Sequence, residues 1–264
     1  MKLDDIIISK AIIERYYSKF IEALELQVAL VGGGPSNLLC GTLLGEAGIK
    51  TAIFESKLAP GGGMWGGGMM FNEIVLQESA LHLLEKMRIR TIPYGEGYYT
   101  ADSVETCSAL ILRCAQSGTR IFNSIEVVDV MFREDDGVAR VSGLVLQWSP
   151  VVKLGMHVDP LTIRAAYVVD GTGHPSEVCR LITDKMGAKL RTRTGGVVGE
   201  MPMWADRGES LTIENASEVF PGLFVTGMAA NAALGAPRMG PVFGGMLLSG
   251  EKVAKMLIEK LKLQ

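Results

Sequence analysis

The sequence has no long basic run, no C-x-x-C pair, no internal repeat, and no apolar stretch approaching the roughly 18 residues that a membrane span needs. Each absence removes a class of protein. A net charge of −3 with no basic cluster argues against a nucleic-acid partner. Charges interrupt the N-terminus too often for a signal peptide, so no membrane partner is expected and the expected location is cytoplasmic. The four cysteines, Cys40, Cys107, Cys114 and Cys179, show no disulfide or zinc spacing. Cys107 and Cys114, seven apart on a predicted helix, read as small core residues. Histidine is also scarce: His82, His157 and His174 are the whole supply.

What is present is a normal globular balance, 48% hydrophobic and 21% charged over 264 residues, with 32 glycines gathered in clusters. That length buries a substantial core, and one compact domain over 1–264 is expected. Apolar residues at Ile8, Ile12, Tyr16, Phe20 and Leu24 recur at helical spacing, and Asp4 is placed to cap a helix over 4–24. Strand 27–31 leads through Gly32-Gly33-Gly34-Pro35-Ser36 into a helix over 36–47 that ends at Gly48, and strand 51–54 closes at Glu55. Residues 59–70 form a glycine-rich loop. Helices are expected at 73–89, 102–117 and 241–262, and strands at 120–122, 126–132, 140–148, 166–170 and 223–226. Asp135-Asp136-Gly137 suits the turn of a hairpin over 126–148. The pattern predicts a mostly parallel α/β fold with a small antiparallel β insertion at about 126–150.

The chemistry begins at Gly32-x-Gly34. Glycines between a strand and a helix permit a tight turn and let backbone N–H groups approach a pyrophosphate at the positive end of the helix. Glu55 ends the next strand, where a carboxylate accepts the hydroxyls of an adenosine ribose and disfavours a 2′-phosphate. Asn37 stands in place of the third glycine of G-x-G-x-x-G, which predicts slightly looser helix–strand packing. Two further strands end in glycine, at Asp170-Gly-Thr-Gly173 and Val225-Thr-Gly227, and strand carboxyl ends converge on one crevice in this architecture. This three-loop layout favours a Rossmann-like FAD/NAD(P)-binding fold of the two-dinucleotide-binding-domain flavoprotein type.

His174 follows one of those strand ends, and His157 and Asp159 precede the same strand. Read from residue types alone, the three form a cluster that is either a divalent-metal site with open positions or a hydrogen-bonded loop pair. His82, within an apolar helical pattern, reads as structural. Arg238, in the rigid Ala-Pro-Arg-Met-Gly-Pro loop, is either a fork for a small carboxylate or a surface arginine.

Taken in order, Val31-Gly-Gly-Gly-Pro-Ser36, Glu55-Ser56, Pro60-Gly-Gly-Gly-Met-Trp-Gly-Gly-Gly68, Ile125-Glu-Val127, His157-Val-Asp159-Pro, Thr172-Gly-His174, Gly227-Met228 and Arg238-Met-Gly-Pro-x-Phe-Gly244 resemble the thiazole synthase family of thiamine biosynthesis. Archaeal members of that family have also been labelled ribose 1,5-bisphosphate isomerases. The resemblance runs nearly the whole chain. It implies a transferase that consumes NAD as a substrate: nicotinamide is lost, the ADP-ribose isomerises to a ketose, glycine condenses with it, sulfur enters, and an ADP-thiazole carboxylate results. It further implies that Ser36, Glu55, Ser56, Gly63, Val127 and Met228, with His157, Val158 and Asp159, hold the ADP-bearing molecule. Asp159 and His174 would bind Fe(II), with His157, Asp159 and His174 as the catalytic group, and Arg238 would take the glycine carboxylate. Family members are homo-octamers in which Asp159 reaches a neighbouring subunit's site. Relatives from fungi and plants carry a sulfur-donating cysteine where this chain has His157, so free sulfide is the implied donor here. Three other readings stay open: an FAD-dependent oxidoreductase of the same fold group, a NAD-sensing binding protein, and a ribose-phosphate isomerase, which lacks a basic cluster for two phosphates.

Overall fold

The computed structural model describes residues 2–135 and 137–263. Helix α1 (Asp5–Glu22) starts where Asp4 accepts hydrogen bonds from the N–H groups of Ile6 and Ile7 at 2.9 and 3.1 Å. Only its last turns face the core, through Tyr16 and Phe20, which pack around Phe122. Ile6, Ile7, Ile12 and Ile13 of the earlier turns are exposed. Next come β1 (Glu25–Val31), α2 (Pro35–Glu46) and β2 (Thr51–Glu55), the strand–turn–helix–strand unit expected from the glycine turn.

The segment 73–89 corrects the sequence reading of a single helix. It forms β3 (Glu73–Gln77), a 3-10 turn and the short α3 (Leu81–Lys86). Ile74 and Leu76 are buried with a period of two, so the alternation of a strand prevails there over helical spacing. β3 pairs with β5 (Tyr98–Asp102), which also pairs with β4 (Ile92–Gly95), giving a separate antiparallel sheet that the sequence reading lacked. Helix α4 (Ser103–Gln116) is capped by Asp102, which accepts from Glu105 N–H at 2.7 Å.

The main sheet continues with β6 (Arg120–Asn123) and the antiparallel pair β7 (Ile125–Asp135) and β8 (Val138–Trp148), the expected hairpin; Asp136 at its tip lies outside the described residues. After α5 (Ser149–Lys153), strand β9 (Leu161–Asp170) pairs first with β8 and then, in parallel, with β1. The remaining elements are α6 (Glu177–Met186), α7 (Ala205–Asn215), β10 (Ser217–Phe220), β11 (Leu223–Val225), α8 (Gly227–Leu234) and α9 (Gly244–Lys262). Of these, α6, α7, α8 and β10 were not anticipated.

The order across the sheet is β10-β11-β9-β1-β2-β6, with β9, β1, β2, β6 and β11 parallel. Alternate residues of β1 feed two apolar clusters: Val28 and Leu30 pack with α2, α4 and α9, whereas Ala29 and Val31 pack with the hairpin and α6. Burial on both faces is what a parallel sheet requires, and each fully buried leucine or phenylalanine contributes about 1.5–3 kcal/mol. This is a Rossmann-like FAD/NAD(P)-binding fold with an antiparallel β insertion, and its parallel strands all deliver their carboxyl ends to one edge. No described helix is long and apolar enough to cross a membrane.

Candidate active site

At that edge lies a cavity of about 930 Å³, walled by the loops that follow β1, β2, β9 and β11. The glycine turn is built by close approach. Gly32 has φ +87°, and a Cβ there would stand 2.7 Å from the Gly171 carbonyl oxygen, so only glycine fits. Gly33 N–H donates to Glu55 Oε2 at 2.7 Å, and Lys57 N–H donates to Glu55 Oε1 at 2.7 Å. The Glu55 carboxylate therefore fastens the turn to the end of β2. Its remaining lone pairs are available for ribose hydroxyls.

Asn37 does the opposite of what its departure from the glycine pattern predicts. It is fully buried; its Nδ2 donates to the carbonyls of Val31 at 2.8 Å and Gly32 at 2.9 Å, and its Oδ1 accepts from Thr226 Oγ1 at 2.9 Å. Its amide also lies so close to Gly171 that a side chain at 171 would collide with it. One side chain thus ties together the ends of β1, β9 and β11. The packing is tightened, not loosened.

The third wall is organised by Asp170, fully buried at the end of β9. Its Oδ1 accepts from Thr172 N–H (3.0 Å) and Thr172 Oγ1 (2.7 Å), and its Oδ2 accepts from Cys179 N–H (3.1 Å). This locks the 171–176 turn and presents His174 to the cavity. Behind His174 stands Glu200, whose Oε2 and Oε1 lie 2.7 and 2.9 Å from Nδ1 of the imidazole. The same carboxylate is 3.9 Å from Nε of Arg238. Arg238 is held by its backbone, which donates to Met201 O at 3.2 Å and accepts from Trp204 N–H at 3.0 Å. At the start of α6, burial, then the negative charges of Asp170, Glu126 and Glu55, push the Glu177 carboxyl above the usual range.

Ser36, Glu55, Ser56, Gly63, Val127, His174, Met228 and Arg238 all line this one cavity. His157, Val158 and Asp159 do not. They lie on a stretch exposed at every residue from 152 to 162, tethered where Gln147 Nε2 donates to the Val158 carbonyl at 2.8 Å. The expectation that His157, Asp159 and His174 cluster at one strand end is therefore wrong for a single chain. Asp159 precedes β9 and His174 follows it, and ten extended residues span about 30 Å. Among the described residues no three histidine, cysteine, aspartate or glutamate side chains form a group able to hold a metal.

The sequence reading missed Glu200, because Gly199-Glu200-Met201 carries no motif and its meaning comes only from the contact with His174. It also missed Lys57, Glu126 and Glu177, which line the cavity. The four cysteines are all buried elsewhere, and burial pushes the thiols of Cys107 and Cys114 up to about 12.

The profile of the Thi4 family matches residues 9–243. The chain belongs to the Thi4 family. It is 55% identical over 262 residues to the thiamine thiazole synthases of Desulfosudis oleivorans and Methanothermobacter thermautotrophicus, covering 99% of this chain and 100% of each relative. It superposes on the crystal structure of Thermovibrio ammonificans THI4 with a TM-score of 0.96 and 46% identity, covering 99% of this chain and 100% of that one. This Thi4 family member is thus an enzyme of thiazole formation in thiamine biosynthesis.

Proposed function

We propose that the chain makes ADP-5-ethyl-4-methylthiazole-2-carboxylate from NAD, glycine and free sulfide, in the cytoplasm, with Fe(II) as its metal. The observation that carries this reading is one cavity with two chemistries. On the β2 side are the glycine turn, Ser36, Glu55 and Val127, a grip for an ADP moiety. On the β9 side are His174 and Arg238, set for chemistry on whatever that ADP carries. NAD has this division, with a nicotinamide ribose at the end opposite the adenosine. The Arg238 guanidinium offers a fork for the glycine carboxylate, and the backbone bonds of Arg238 fix the point on the cavity wall from which that side chain extends.

The fit to a metal is partial within one chain. His174 supplies one imidazole nitrogen, and among the described residues no three histidine, cysteine, aspartate or glutamate side chains of the chain complete a metal site around it. Asp159 is exposed on a segment whose apolar residues Leu154, Met156, Val158 and Leu161 also face outward, as a segment inserted into a neighbour would be. We infer that Asp159 and His174 of adjacent protomers hold the metal, that His157 and Val158 enter the neighbour's cavity with Asp159, and that the assembly is a homo-octamer. The exposed isoleucines of α1 give that assembly further apolar surface. An imidazole and carboxylate set suits Fe(II), which when bound supplies open positions for a soft sulfide and for nitrogen or oxygen donors of the substrate.

The thiols support the reading of sulfide as an external reactant. No cysteine reaches the cavity, and those present are held protonated by burial. The test is an anaerobic assay with NAD, glycine, sulfide and Fe(II). The expected result is many equivalents of ADP-thiazole per chain, strictly dependent on sulfide. Product that stops at one equivalent, or forms equally without sulfide, refutes the proposal.

A further inference from the structure

We propose that Glu200 is a positioning residue that sets the tautomer and orientation of the His174 ring, and so leaves Nε2 as the nitrogen with the free lone pair. This rests on the functional reading above for its purpose, not for its geometry. Both carboxylate oxygens of Glu200 lie within 2.9 Å of Nδ1, so Nδ1 is the nitrogen that carries the hydrogen. Nε2 lies on the opposite edge of the ring. Glu200 does not line the cavity, whereas His174 and Arg238, the two groups its carboxylate faces, both do. The His174 side chain is 51% exposed and the Glu200 side chain 13%. The imidazole thus has little packing of its own to fix its rotamer, and the better-buried carboxylate supplies the constraint.

A carboxylate behind an imidazole does two things for a ligand or a base. It selects which nitrogen presents a lone pair, and it fixes the orientation of the ring. Because the same carboxylate stands beside Arg238, a single side chain also keeps the guanidinium and the imidazole on a common frame.

The experiment uses the full oligomeric protein, with Co(II) as the probe under anaerobic conditions, and compares Glu200→Leu with Glu200→Gln. Loss of the acceptor in Glu200→Leu should weaken Co(II) binding about 10–100-fold, the range for removal of such a partner. ADP affinity should be unchanged. Glu200→Gln keeps an oxygen that accepts from Nδ1 and should restore Co(II) affinity to within about threefold of the native value. A second readout needs no metal. The chain has three histidines, so solid-state 15N spectra of histidine-labelled protein contain three rings, and His174→Ala assigns the one of interest. The native protein should show His174 with the hydrogen on Nδ1, and Glu200→Leu should lose that preference. If the native protein binds no Co(II) but the tautomer behaves as stated, the functional reading falls while the positioning role stands. If Glu200→Leu leaves the tautomer unchanged, or Glu200→Gln is as impaired as Glu200→Leu, the positioning role is overturned.

Discussion

Replacing Asn37 by alanine removes three hydrogen bonds at once, two to the carbonyls of Val31 and Gly32 and one from Thr226 Oγ1. A buried hydrogen bond contributes about 1 kcal/mol net, so the sum is about 3 kcal/mol. Two details shape that figure. The Val31 carbonyl keeps a second partner in Gly171 N–H at 2.9 Å, which lessens the loss. The Thr226 hydroxyl, fully buried, loses its acceptor, which adds to it. At about 2–4 °C per kcal/mol for a chain of this size, the melting temperature should fall by about 6–12 °C. The assay is thermal and urea unfolding at fixed protein concentration, because association contributes to apparent stability. Asn37→Gly restores the usual third glycine of the dinucleotide turn and should be at least as destabilised as Asn37→Ala. If Asn37→Gly equals the native protein, or Asn37→Ala lies within about 1 kcal/mol of it, the three-strand tie is not what holds this corner.

Three further outcomes follow from the same structure. Arg238→Ala should raise the KM for glycine at least about tenfold while ADP affinity stays unchanged, the signature of a lost carboxylate contact; an unchanged glycine KM removes Arg238 from that role. Asp159→Ala and His174→Ala should each be inactive alone, yet co-assembled oligomers should regain about a quarter of native activity, because about one site in four then pairs an intact Asp159 with an intact His174. No recovery on co-assembly would place both ligands in one chain. The Glu209 carboxyl, buried against the start of α9 where it accepts from Gly245 N–H, is pushed above the usual range by that burial. The folded protein therefore holds this proton to higher pH than the unfolded chain, and the associated stability is present in acid and lost as pH rises through the raised value. Glu209→Gln keeps the acceptor without the charge, so its stability relative to the native protein should grow from about pH 5 to about pH 8. Parallel stability profiles would show that Glu209 ionises without penalty.

Much of this was legible in the sequence wherever local rules act alone. The glycine turn, Glu55 at the end of the next strand, the Asp135–Gly137 hairpin and the Asp4 cap each follow from backbone constraints over a few residues. Residues 73–89 do not form one helix because a partner strand about 25 residues later decides the first half of the segment, and nothing in the local sequence announces that pairing. Asn37 departs from its expectation for a related reason: its Nδ2 finds local carbonyls, but the donor to its Oδ1, the Thr226 Oγ1–H, arrives 189 residues later. Glu200 carried no signal at all, since its role exists only through His174, 26 residues away across a loop. The His157–Asp159 segment, expected to share a strand end with His174, lies within one chain at the other end of β9. Sequence proximity to β9 says nothing about which end of a strand, or which copy of the chain, a side chain serves.

In the proposed function the cavity grips an ADP moiety on its β2 side while a thiazole is built on its His174 side. The mass of the small molecule that remains with the purified protein, released by denaturation, tests this most directly. An adenylated thiazole carboxylate or an ADP-ribose fragment of NAD, at up to one per chain, is the predicted result. A bound flavin, with its yellow absorbance, would contradict it.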